Sequence, residues 1–122
     1  MQIVLNLPPP PPINRLWRSR INPKTGKPLV HISTRYKRWQ KQFSLHWLIQ
    51  KPPGFKQITT DFQATVVIGD RRRDVDASAK ALLDALQKFE IIKNDNQCSR
   101  VISEYGSTSL GCRLIIETHD GA

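Results

Sequence analysis

The strongest constraint in this chain is a change of hydrophobic period near its middle. Phe62, Ala64, Val66 and Ile68 alternate with their neighbours, the period of a strand with one buried face. After a polar interval, Ala79, Leu82, Leu83 and Leu86 recur at the i, i+3, i+4, i+7 spacing of a helix with one apolar stripe. Each element must bury its apolar side against another, so the pattern requires layers, with helix packed on sheet.

The interval between them reads GDRRRDVDAS from Gly69 to Ser78. If the chain stays extended here, residues two apart point the same way, and Asp74 and Asp76 present two carboxylates to one face. Asp76 stands at the N-cap position of a helix expected from Ala77 to about Phe89, and Lys80 lies one turn in, looking back toward the aspartates. Two adjacent carboxylates repel, and one tends to keep its proton unless a hard cation joins them. Mg²⁺ suits such a pair, because it takes one or two carboxylates and fills its other positions with water and phosphate oxygens. The plainer alternative is that Asp70, Asp74 and Asp76 neutralise Arg71, Arg72 and Arg73 while Asp76 caps the helix. Spacing alone leaves both open.

Charge narrows the partners. Lys and Arg number 19 against 10 Asp and Glu, a formal net charge of +9. Such a surface attracts polyanions, and nucleic acid is the usual one. No apolar run approaches the ~20 residues of a membrane span, and no lipidation motif or secretion signal is visible. Cys98 and Cys112 lack metal-ligand spacing and are expected reduced and at least partly buried in a cytoplasmic protein. At 122 residues the chain is expected to form one domain, 1–122, small enough to gain from dimerisation.

The remaining pattern fits an α+β fold, a mixed sheet covered by two main helices. Gln2 to Leu7 alternates as a strand and is ended by Pro8 to Pro12, a stiff connector. Arg15, Trp17 and Arg18 interleave cations with an aromatic, which suits phosphate contact beside stacking, although Trp17 serves equally well in a core. Asn22 to Pro28 is a turn-rich tip from which Leu29 to Ile32 returns as a short strand. Ser33 or Thr34 then caps a helix to about Gln50, with Tyr36, Trp39, Phe43 and Trp47 as its apolar stripe. Arg35, Lys37, Arg38 and Lys41 give that helix a basic flank, suited to solvent or to DNA. Val101 to Tyr105 and Arg113 to Thr118 read as strands around the Gly106 to Gly111 turn, giving the order ββαβαββ. His31 and His46 have no partner spacing.

With Asp-Arg-Arg-Arg-Asp-Val-Asp, Lys80, the Leu-Asp-Ala-Leu helix and Asn94-Asp95-Asn96-Gln97 together, the chain resembles the RusA-type Holliday junction resolvases. The match covers roughly residues 69 to 101, and the length and the Pro-rich N-terminus agree. The resemblance implies a small homodimeric, Mg²⁺-dependent endodeoxyribonuclease of bacterial or phage origin, with Mn²⁺ as a substitute metal. Such an enzyme resolves four-way junctions, or other branched DNA, by paired symmetric phosphodiester cleavage in recombination and repair. It implies catalysis by Asp74, Asp76, Lys80 and Asp95, with the three aspartates holding metal, and it favours Arg15 and Arg18 as DNA contacts. The Arg71, Arg72 and Arg73 run adds further candidates for phosphate contact. The chain departs from the family pattern at Ala77, where asparagine is common, and at Asn94, where a second aspartate is often found. The competing function is a binding module for branched or single-stranded DNA without chemistry.

One geometric expectation concerns Asp95. A helix from Ala77 to Phe89 is about 20 Å long, and the six residues from Phe89 to Asp95 span about 20 Å fully extended. Asp95 therefore has little slack to return to its own Asp76. A twofold dimer with these helices antiparallel offers another route, to the partner's pair, and both arrangements stay open.

Overall fold

A computed structural model describes residues 1–11, 17–21, 28–32 and 34–118, and side chains for 1–11 and 34–118. In order these are β1 (Gln2–Leu7), β2 (Trp17–Ile21), β3 (Pro28–Ile32), α1 (Thr34–Gln50), β4 (Phe62–Ile68), α2 (Ala79–Lys88), a 3-10 turn (Asp95–Gln97), β5 (Cys98–Tyr105) and β6 (Cys112–Thr118). The result is a small mixed α+β fold. Four strands form one sheet in the order β1-β6-β4-β5, and β2 and β3 pair as a separate antiparallel two-stranded sheet.

The sheet is mixed because β4 runs parallel to β5 but antiparallel to β6, and β6 runs antiparallel to β1. The parallel pair needs a crossover, which α2 supplies. Although β5 and β6 are consecutive, they do not pair with each other, since β4 lies between them. Alternation sends Ile3, Leu5, Leu7, Phe62, Ala64, Val66, Ile68, Leu114 and Ile116 into one core. The stripes of both helices, Tyr36, Trp39, Phe43 and Trp47 of α1 and Ala81, Leu82, Ala85 and Leu86 of α2, close that core. Phe43 of α1 stacks on Phe89 just past α2, with centroids 5.8 Å apart. Outside the core, Leu45, Leu48 and Ile49 form an exposed apolar patch on α1, and Ile49 is 80% exposed.

Polar contacts fix how α1 sits. Gln50 exchanges two hydrogen bonds with the backbone of Asn6, donating at 2.9 Å and accepting at 2.8 Å. The Trp39 indole donates to the Pro8 carbonyl at 2.9 Å, so the proline run is tied down on α1. Gly111, at φ +110°, brings its Cα against Pro9, where an added Cβ would stand 2.8 Å from the ring. Both cysteines are free, and burial pushes the Cys112 thiol up to about 12. Among the described residues no helix is long and apolar enough to cross a membrane.

Several boundaries differ from the sequence expectation. Trp17–Ile21 is a strand, so three strands precede α1 rather than two, and the hairpin it forms lies outside the main sheet. β5 begins at Cys98 rather than Val101, and β6 at Cys112 rather than Arg113. α2 begins at Ala79 rather than Ala77.

Candidate active site at the end of β4

The chain leaves β4 and folds into two successive turns rather than running on extended. The Arg73 N–H donates to the Asp70 carbonyl at 3.1 Å, and the Ala77 N–H donates to the Asp74 carbonyl at 3.2 Å. Asp74 and Asp76 are thus the first and third residues of a four-residue turn, not two positions on a strand face. The N-cap of α2 is Ser78, in helical φ/ψ and without a side-chain cap bond, so Asp76 is not the cap. The turn is pinned from below: the Tyr105 hydroxyl donates to the Arg73 carbonyl. The Arg71 guanidinium lies over the same ring, 5.0 Å from its centroid, within cation–π range.

The charges in this stretch are sorted among separate partners. Arg72 forks onto Asp70, with Nε to Oδ1 at 3.0 Å and Nη2 to Oδ2 at 3.2 Å. Those bonds, with the Arg72 backbone N–H on Oδ1, hold the Asp70 carboxyl below its usual range. Arg73 turns inward, and its Nη1 donates to the Pro10 carbonyl at 2.6 Å. The arginines are thus occupied by Tyr105, Asp70 and Pro10, leaving Asp74 and Asp76 exposed, with no side-chain hydrogen bond or ion pair among the described residues. Only Asp70 does what the neutralising alternative required of all three. Lys80, in the first turn of α2, stands 4.0 Å from Asp84 rather than paired with Asp74 or Asp76, and its side chain is 61% exposed. An exposed contact this long contributes little.

Asp95 is held elsewhere, by glutamines. α2 ends in a Schellman turn: Ile91 N–H bonds to the Leu86 carbonyl at 2.9 Å and Glu90 N–H to the Gln87 carbonyl at 3.1 Å. Glu90 occupies the left-handed position, at φ 59°, where glycine is usual. The reversal carries the chain back alongside the last turn of α2, where the Asp95 N–H donates to Gln87 Oε1 at 3.0 Å. Gln97 then locks the turn. Its Oε1 accepts from Lys93 and Asn94 N–H at 2.9 and 2.6 Å, and its Nε2 donates to the carbonyls of Ile58 and Thr60 at 3.0 and 2.9 Å. Asn94 caps the 3-10 turn by accepting the Asn96 N–H at 3.0 Å. Gln87 lies eight residues beyond Ala79, about 12 Å of helical rise, so the chain returns only part of the way toward Asp76. Among the described residues, no group of three or more His, Cys, Asp or Glu is placed to hold a metal ion. Within one chain, Asp74 and Asp76 are sequence neighbours in one turn, and Asp95 does not join them in such a group.

Beside the turn lies an open cleft of about 630 Å³, lined by Gly69, Asp70, Arg71, Tyr105, Gly106, Ser107, Thr108 and Gly111. It sits past the carboxyl ends of the parallel pair β4 and β5. Its floor is close-packed: an added Cβ on Gly69 would stand 2.7 Å from Thr108 Oγ1. Arg15 lies outside the described residues, and Arg18 is placed only as a backbone position of β2 opposite His31. The sequence pattern did not mark Tyr105, Gln87 or the bonding role of Gln97, because each acts by a side-chain bond to backbone, which leaves no period in the sequence. No family model matches the chain, and no curated protein matches it.

Proposed function

We propose that this protein is a metal-dependent endodeoxyribonuclease of the RusA type that cuts four-way or other branched DNA. The observation that carries the reading is the pair Asp74 and Asp76, two exposed carboxylates without partners among the described residues, in a chain of net charge +9. Neighbouring arginines have other partners, so the pair is not there to neutralise them. Hard carboxylate oxygens of this kind fit Mg²⁺, or Mn²⁺ in its place, with water and phosphate completing the shell. Bound there, the metal supplies Lewis acidity and a water of lowered pKa.

The chain's own residues do the rest. Asp74 and Asp76 would hold the metal, and the Tyr105 bond to Arg73 ties down the backbone that leads into their turn. Lys80 reaches a phosphate oxygen and offsets negative charge growing on it in the transition state. Arg71, which lines the cleft, attracts the DNA backbone, and the exposed Arg72 adds positive charge next to it in the chain. Asp95, held beside Gln87, completes the site of the partner subunit in a homodimer, which supplies two sites for two symmetric cuts.

The second reading, a DNA-binding module without chemistry, is favoured by Ala77 and Asn94, which stand where the resembled family commonly has asparagine and a second aspartate. A labelled four-way junction incubated with Mg²⁺ and with EDTA separates the two. Paired symmetric nicks appearing only with metal are the expected outcome. Retarded but uncut junction under both conditions would establish the binding module.

A further inference from the structure

A second basic site lies on the other side of Arg73. The proline run and the start of α1 enclose a cleft of about 190 Å³, lined by Pro8, Pro9, Pro11, Trp39 and Gln42 and by three arginines, Arg35, Arg38 and Arg73. That volume is below the ~300 Å³ at which small-molecule pockets begin, so it suits a small anionic group rather than a cofactor. Its walls are held by two bonds, Trp39 to the Pro8 carbonyl at 2.9 Å and Arg73 to the Pro10 carbonyl at 2.6 Å. Arg35 and Arg38 are three apart on one helix, hence on one side of it. Both are exposed, and neither makes an ion pair among the described residues.

Their position is unfavourable for the fold taken by itself. The amino end of a helix carries partial positive charge and attracts anions. Here the first turn of α1 has no acidic residue, and Arg35, Lys37 and Arg38 crowd that same end. Helix stability would place acids there and cations at the far end, yet the last turn has no basic residue. An anion seated between the arginines would relieve this repulsion and use the helix end as well.

We propose that this cleft is a binding site for a backbone phosphate of nucleic acid, held by Arg35 and Arg38 of α1 together with Arg73. The choice of occupant rests on the DNA reading above. Because Arg73 directly precedes Asp74, a phosphate seated here fixes the substrate strand one residue from the candidate catalytic pair and sets the register of the cut.

The test uses the Arg35→Gln/Arg38→Gln double variant of the full chain, in EDTA, with inorganic pyrophosphate and with DNA. Pyrophosphate should raise the melting temperature of wild type and leave that of the variant unchanged. On a four-way junction the variant's slope of log K against log salt should be shallower by about 2, with affinity about tenfold weaker at low salt. Without anion, the variant should melt no lower than wild type. A melting temperature well below wild type would show the arginines to be structural and overturn the proposal. A retained pyrophosphate response would overturn the site. A lost response with an unchanged DNA slope would leave a free-anion site and overturn the nucleic-acid occupant. Wild type that binds no DNA would overturn the DNA reading itself, and the pyrophosphate response distinguishes that failure from failure of the site.

Discussion

At Asp76 the turn separates two roles, helix cap and metal ligand, that one carboxylate can combine. Since Ser78 occupies the N-cap, removing the Asp76 charge should not incur the ~1 kcal/mol of a lost cap. Asp76→Asn should therefore abolish junction cleavage while leaving urea stability within about 0.5 kcal/mol and junction binding equal or tighter. Loss of binding in step with cleavage would remove Asp76 from the catalytic role. Glu90 offers a test of the backbone alone. A non-glycine residue in the left-handed region costs about 1–2 kcal/mol, and glycine returns part of that through its freer unfolded chain. Glu90→Gly should therefore stabilise the protein by about 0.5–1 kcal/mol in thermal or urea unfolding, because the exposed Glu90 side chain appears in no ion pair among the described residues.

At the level of elements, legibility followed burial. β1, β4 and the end of α1 match the sequence reading because their alternating or helical stripes face the core. β2 was missed because Trp-Arg-Ser-Arg-Ile reads as a phosphate-contacting stretch, and its strand belongs to a hairpin outside the main sheet. The first residues of β5 are largely exposed, so no apolar period announces them. α2 starts at Ala79 because Asp74 to Ala77 closes as a separate turn and the Ser78 carbonyl takes the helical bond from the Leu82 N–H, a boundary that the sequence does not distinguish. The candidate residues were legible as types in a pattern, but their holders were not: a glutamine that binds backbone from two segments leaves no periodic trace. Gln97 is the clearest case, joining the Asp95 turn to Ile58 and Thr60. Gln97→Ala removes four hydrogen bonds and should cost about 2 kcal/mol. It should also raise amide exchange selectively at 93–97, and lower cleavage more than junction binding. Equal exchange across the chain would count against a local clamp.

The whole molecule poses the question of how two copies would meet. The outward side of α2 carries Lys80, Asp84 and Gln87, whereas the exposed apolar patch is on α1, at Leu45, Leu48 and Ile49. Mixing Asp76→Asn and Asp95→Asn proteins under exchange conditions tests a shared site whichever face pairs. If Asp95 serves the partner, each heterodimer holds one intact site and one doubly altered site, so single nicks should return. Verified heterodimers without nicking would place each site within one subunit. The strand order has its own consequence for a chain made from its amino end. β1 and β4 both lie against β6, which is the last of the strands to leave the ribosome. At about 5–20 residues per second, the apolar sides of Leu5, Leu7, Val66 and Ile68 wait several seconds for the strand that joins them. Until Cys112–Thr118 emerges, the nascent chain displays two unpaired strand edges flanking an empty slot, the kind of surface that chaperones recognise and that aggregation exploits.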